Sequence, residues 1–207
     1  MKGIKKIGFD RNSIREQLAS FCYNQKVAIG YDKNTIERYA KLISEALRIK
    51  ITRDDITNKE LYLFSKSKLL IPQTSYIVFV IGSTWRSRNY PKEKYVQVAH
   101  AIKKDCLVIW GNEQEKENAE WMSSESNYIQ VMPKLSLDDL KHVISHASLL
   151  IGNDTGPSHM SWALNIPSII LFGPTPIERS FQTPINTVLS SNSKICHNKL
   201  DKNDFSI

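Results

Sequence analysis

From about residue 75 onward the chain alternates between short, almost wholly apolar runs and longer stretches whose apolar positions return every three or four residues. The apolar runs fall at residues 76–81, 106–110, 149–151 and 168–172. They are rich in β-branched and aromatic residues and show no polar alternation, the pattern of strands buried on both faces. Helical spacing fills the intervals, from Pro91 to about Lys104, over 113–123, after Ser136 and over 156–164. Ser136 with Asp139 makes a capping pair, followed by Leu137, Leu140, Val143, Ile144 and Ala147 on one face. Strand–helix repetition predicts parallel pairing through right-handed crossovers, hence a doubly wound α/β sheet.

The first 33 residues carry weaker signals: a strand over 4–9, a helix around 14–21 and a short apolar piece at 27–29. Asn34 with Glu37 then reads as a helix start, and Ile36, Tyr39, Ala40, Ile43 and Leu47 follow helical spacing. That helix has the position of a connector, so the expected division is 1–48 and 49–207. The stretch 50–73 is polar with short apolar islands and is expected to hold loops or edge elements. No internal repeat or low-complexity segment appears.

Composition narrows the class without choosing a function. The 207 residues, 41% hydrophobic and 24% charged, suffice for one good core or one full domain with part of another. No apolar run approaches the roughly 18 residues a spanning helix needs. MKGIKKIGFD lacks the apolar core and cleavage site of a signal peptide, which sets a cytoplasmic expectation. The three cysteines, Cys22, Cys106 and Cys196, are far apart and odd in number, as free thiols would be, with Cys106 in a core position. The net charge of +7 favours anionic partners. Its lysines are scattered and no aromatic–basic RNA motif accompanies them, which argues against nucleic acid.

In a doubly wound sheet, ligands bind beyond the carboxyl ends of the strands. The four loops there are GSTWRSRNYP, GNEQEK, GNDTGPSH and GPTP. In the third, Thr155 and Gly156 precede Pro157 at a helix start, which leaves outward-facing backbone N–H groups suited to an anion. Asp154 could accept from a sugar hydroxyl or merely cap the turn. In the first, Ser83 and Thr84 with Arg86 and Arg88 suit phosphate oxygens, although a solvated surface loop would look the same. Glu113 could accept from ribose hydroxyls, but read alone it is better explained as a helix N-terminal acid. The FGPTP turn reads as a stiff structural wall. His142 and His146 have the spacing of a metal pair but no third ligand, and Cys196–His197 lacks the second half of a zinc site. With no Asp-x-Asp in the chain, no metal cofactor is expected, and side chains and backbone dipoles would neutralise a diphosphate.

Taken in order, GSTWRSRNYPKEKY, WGNEQEKENAE and PKLSLDDLKHVISHASLLIGNDTGPSHMSWALNIPSIILFGPTP resemble the donor-binding half of glycosyltransferase family 9, the lipopolysaccharide heptosyltransferases. The resemblance is strongest over residues 75–180, and DTGPSHMSWAL and FGPTP are its most diagnostic parts. It implies a GT-B architecture of two Rossmann-like domains. It also implies metal-independent, inverting transfer of heptose from ADP-heptose to the Kdo of the lipid A core, at the cytoplasmic face of the inner membrane. By position, Ser83 and Thr84 would touch the diphosphate and Glu113 the ribose. Asp154, Thr155 and Gly156 would hold heptose and diphosphate, with His159 close behind. Arg88 stands where the family usually has a basic residue, often Lys, that stabilises the leaving phosphate. The family's Gly-rich N-terminal loop and the catalytic Asp that serves as general base have no counterpart in residues 1–33, where Asp10 and Asp32 stand in other contexts. The expectation is therefore that residues 1–48 are the remnant of a largely missing acceptor domain plus a linker helix. On that reading the chain alone binds ADP or an ADP-sugar without catalysing transfer. A nucleotide-sugar epimerase using His159 and Glu113 remains the other enzymatic alternative.

Overall fold

A computed structural model describes residues 5–191. These form two compact units. One runs up to Glu60 and takes in Glu178–Phe181; the other comprises Leu61–Ile177 and the chain from Gln182 on. The division expected at residue 48 thus falls inside the first unit. Arg53 there bonds the Glu37 carboxylate at 2.6 Å and stacks over Phe181, tying the segment after residue 48 to the helix before it.

In the first unit, β1 (Ile7–Phe9) pairs in parallel with β2 (Gln25–Val27). Of the positions expected to make a helix at 14–21, those from Gln17 on lie instead in a 3-10 helix, Gln17–Cys22, and Ile14 precedes it. Leu18 and Phe21 are exposed, so no buried face stabilises a longer α-helix. Helix α1 (Thr35–Leu47) starts at Asn34, whose side chain accepts from the Ile36 N–H. Its amide donates to the carbonyls of Glu178 and Ser180. Glu37 therefore closes no capping box with Asn34 and pairs with Arg53 instead. Helix α2 (Arg53–Thr57) lies within the stretch read as loops, and Thr52 and Asp55 form its complete capping box.

The second unit holds the predicted sheet. Its elements are β3 (Ile77–Val80), α3 (Lys92–Ile102), β4 (Cys106–Ile109), α4 (Glu113–Glu125), β5 (Ile129–Val131), α5 (Leu137–Ser145), β6 (Leu149–Asn153), α6 (Gly156–Ala163), β7 (Ser168–Phe172) and β8 (Asn186–Ser190). All six strands pair in parallel, in the order β5-β4-β3-β6-β7-β8. The chain builds outward from β3 to β5, then returns to the other side of β3 with β6. The order reverses between β3 and β6, and the crevice at their carboxyl ends is the place where such folds bind ligands.

Both faces of the sheet are covered, as the unbroken apolar runs require. Phe79 and Ile81 pack with Tyr95, Ala99 and Met122 under α3 and α4. Val78 and Val80 pack with Val143, Ile144 and Leu150 under α5. Cys106 belongs to this interior, where burial and then the charge of Asp105 push its thiol up to about 12. The sequence pattern misses β5 and β8, the two edge strands, whose three and five residues include exposed positions. The Cys196–His197 pair lies outside the described residues.

Candidate nucleotide-binding site

The loop after β3 is anchored across the switch point by Asn153, the last residue of β6, which is fully buried. Its Oδ1 accepts from the Tyr90 backbone N–H at 3.0 Å and from the Tyr95 hydroxyl at 3.2 Å. Its Nδ2 donates to the Ile81 carbonyl at 2.6 Å. Both ends of the loop bearing Ser83, Thr84 and Arg88 are thereby tied to the strand that enters the DTG turn. Gly152, one residue earlier, sits opposite Val80 in the sheet. A Cβ there would lie 2.5 Å from Val80 Cβ and 2.8 Å from Ser158 Oγ, so the close contact of β3, β6 and α6 needs glycine.

Two adjoining cavities open at these strand ends, sharing Ser83, Thr84, Asn112 and Glu115. The first, about 350 Å³, has an apolar wall of Val80, Ile109, Leu135, Leu140 and Pro157, with Trp110 beside it. Thr155, at the N-terminus of α6, also faces it. The second, about 610 Å³, is lined by polar residues such as Arg86, Asn89, Lys92 and Asn118. Ser83 Oγ and Asn89 Oδ1 are buried and have no hydrogen-bond partner among the described residues. Buried polar atoms are rarely left so, and both stand in walls that a polar ligand could satisfy. A Cβ on Gly156 would meet nothing within 4 Å, so the space before α6 is open.

The acidic side chain in the cleft is Glu115. Glu113, at the first position of α4, is exposed, stands 3.9 Å from Lys116 and lines neither cavity. Asn112 caps α4 by accepting from the Glu115 N–H. At the third helical position the Glu115 side chain folds back over the cap and accepts from the Gly111 N–H and Asn112 Nδ2, both at 2.7 Å. It presses against Gly82, where any Cβ would lie 2.1 Å from its carboxyl group. The spacing of Asn112 and Glu115, that of a capping pair, was the available sequence signal.

Asp154, Arg88 and His159 come together beside the cavities. Asp154, only 5% exposed, accepts from Thr175 Oγ1 at 3.2 Å and lies 3.1 Å from His159 Nε2. The Arg88 guanidinium is 3.7 Å from Asp154 Oδ2 and 4.1 Å above the Trp85 ring. Burial raises the Asp154 carboxyl, but the hydrogen bond and charge of His159, then Arg88 and Thr175, together hold it below its ordinary value. Thr175 comes from the FGPTP turn, which lines neither of these cavities and enters the site as a polar partner of Asp154. His159 turns to Asp154 and Glu113 turns to Lys116, so the acid/base pair an epimerase would need is not assembled.

Fold and site together define a Rossmann-like domain, with a helix start open to the cleft and a half-apolar cavity at the switch point. The chain belongs to glycosyltransferase family 9 (heptosyltransferase), whose family model matches residues 1–205. It is 36% identical over 220 residues to lipopolysaccharide heptosyltransferase 1 of Campylobacter coli, a match covering 97% of this chain and 64% of the relative. Its fold is similar to that of Escherichia coli heptosyltransferase WaaC with ADP, at a TM-score of 0.73 and 25% identity over 96% of this chain and 62% of WaaC. WaaC with ADP-2-deoxy-2-fluoro heptose gives a TM-score of 0.70 at 23% identity, covering 98% and 62%. The chain thus spans somewhat under two thirds of the length of each of these proteins.

Proposed function

We propose that this chain carries the donor site of a heptosyltransferase that uses ADP-heptose and delivers heptose to the Kdo of a lipid A core at the cytoplasmic face of the inner membrane. The observation that carries the reading is the orphaned Ser83 hydroxyl in a cavity that Thr155, at the α6 N-terminus, also lines. Hydroxyl and helix-start N–H groups converge there on the place a diphosphate would fill. Family membership and the ADP and ADP-sugar analogue carried by WaaC support the choice of nucleotide.

In this reading the adenine lies against the apolar wall of the first cavity. The ribose hydroxyls donate to Glu115, whose carboxylate has lone pairs to spare beyond its two local bonds. The diphosphate meets Ser83, Thr84 and the α6 N-terminus at Thr155 and Gly156. Asp154, kept ionised by its neighbours, accepts from a heptose hydroxyl. When the acceptor oxygen attacks the anomeric carbon and the bond to ADP breaks, negative charge grows on the leaving phosphate. The helix dipole and Arg88 stabilise it without a metal ion. The base that takes the acceptor's proton is assigned to no residue of this chain, and the chain alone is expected to bind donor without transferring heptose.

Calorimetric titration with ADP, UDP and GDP tests this. The expected result is preference for ADP, weakened about tenfold or more by Ser83→Ala, the cost of one hydrogen bond to a charged group. Equal binding of the three nucleotides would overturn the adenine assignment. No binding by a folded chain would overturn the donor site.

A further inference from the structure

The segment Leu61–Ile71 is a strap lying on α5. Leu63, Leu69 and Ile71 pack against the core cluster beneath it. Between them Ser65 Oγ donates to the Asp138 carbonyl at 2.8 Å, and the Lys66 N–H donates to Asp138 Oδ2 at 2.9 Å. Ser67 Oγ bonds the Asp139 carboxylate, and Lys141 Nζ donates to the Phe64 carbonyl at 2.8 Å. From Tyr62 to Leu70 burial alternates strictly, with residues 63, 65, 67 and 69 half-buried and 62, 64, 66, 68 and 70 exposed.

The outward row is therefore Tyr62, Phe64, Lys66, Lys68 and Leu70. At the rise of an extended chain it is about 26 Å long. Phe64 is 71% and Leu70 93% exposed. The inward side is fixed by core packing and hydrogen bonds, so these side chains cannot turn inward without breaking that attachment. Leu137, beside Asp138 at the start of α5, is exposed as well. Lys66 and Lys68 form no ion pair among the described residues, whereas Lys141 is taken by Asp138.

We propose that this strap is a docking surface for an anionic lipid bilayer. Two aromatic rings and a leucine can enter the headgroup boundary, and two lysines among them meet anionic headgroups while their stems lie along the apolar row. A row of one sign, in a chain of net charge +7, complements such a surface. The strap lines neither cavity, so this surface stands whether or not the donor reading holds.

The test is co-sedimentation of the full chain with vesicles of phosphatidylcholine alone and of phosphatidylcholine mixed with phosphatidylglycerol. Binding is expected only to the anionic vesicles. Lys66→Gln/Lys68→Gln should lower the partition coefficient by about thirtyfold, two lysines' worth of surface attraction. Phe64→Ser/Leu70→Ser should lower it at least about tenfold. Both variants should keep the melting temperature and the nucleotide titration of the parent. Absence of anionic-vesicle binding by the parent, or undiminished binding by both variants, overturns the proposal. Concentration-dependent self-association that Phe64→Ser/Leu70→Ser abolishes, without vesicle binding, also overturns it and makes the strap an interface between copies.

Discussion

Asp154 shows how far one residue's role depends on its neighbours. Its carboxylate is out of water, yet His159, Arg88 and Thr175 keep it ionised. Asp154→Ala leaves Arg88 facing an empty place in a buried pair, so unfolding in urea should show a loss of about 3 kcal/mol. Because the folded-state carboxyl lies below its ordinary value, its contribution is present above the unfolded value near pH 3.9. It is lost as pH falls through the lower folded value. Stability measured from pH 6 downward should therefore fall less steeply in acid for Asp154→Asn than for the parent; identical slopes would mean the carboxylate is not held as described. Glu115 offers a second contrast. Glu115→Gln keeps the size and one acceptor oxygen, and should weaken ADP more than Glu113→Gln, which should leave the titration unchanged.

At the scale of elements, the loop after β3 owes its shape to β6. Asn153→Ala removes bonds to Tyr90, Tyr95 and Ile81 and leaves buried groups unpaired, at a cost of about 2–3 kcal/mol. Amide hydrogen exchange should then accelerate over residues 82–90 more than in β7 or α3. Uniform acceleration would show that Asn153 serves the whole fold rather than this loop. Gly152→Ala probes the neighbouring contact. Its methyl would press on Val80 and Ser158, and a loss of about 1–3 kcal/mol is expected from overpacking.

At the scale of the whole molecule, ligand and stability are coupled through the cleft. ADP at about one hundred times its Kd should stabilise the chain by about 2.7 kcal/mol, read as a rise of several degrees in Tm. UDP at the same concentration should give a smaller rise. Equal rises would point to a diphosphate site with no base selection.

The apolar runs alone determined that strands at 76–81, 106–110, 149–151 and 168–172 are buried and parallel, because strands covered on both faces have no place for alternating polar residues. They also placed the loops worth reading, since every strand of a parallel sheet delivers its carboxyl end to one edge. Ser83, Thr84 and Thr155 were legible there as hydroxyls at strand and helix ends, and the packing leaves them facing the cleft. Only tertiary structure decided which carboxylate enters it, because helix phase turns Glu113 to solvent and folds Glu115 back over its cap. Tertiary structure also brought Thr175 to Asp154 across 21 residues and Asn153 to Ile81 across 72. Such partners are set by the order of strands in space, which reverses at β3 and β6, and local spacing along the chain carries no record of it.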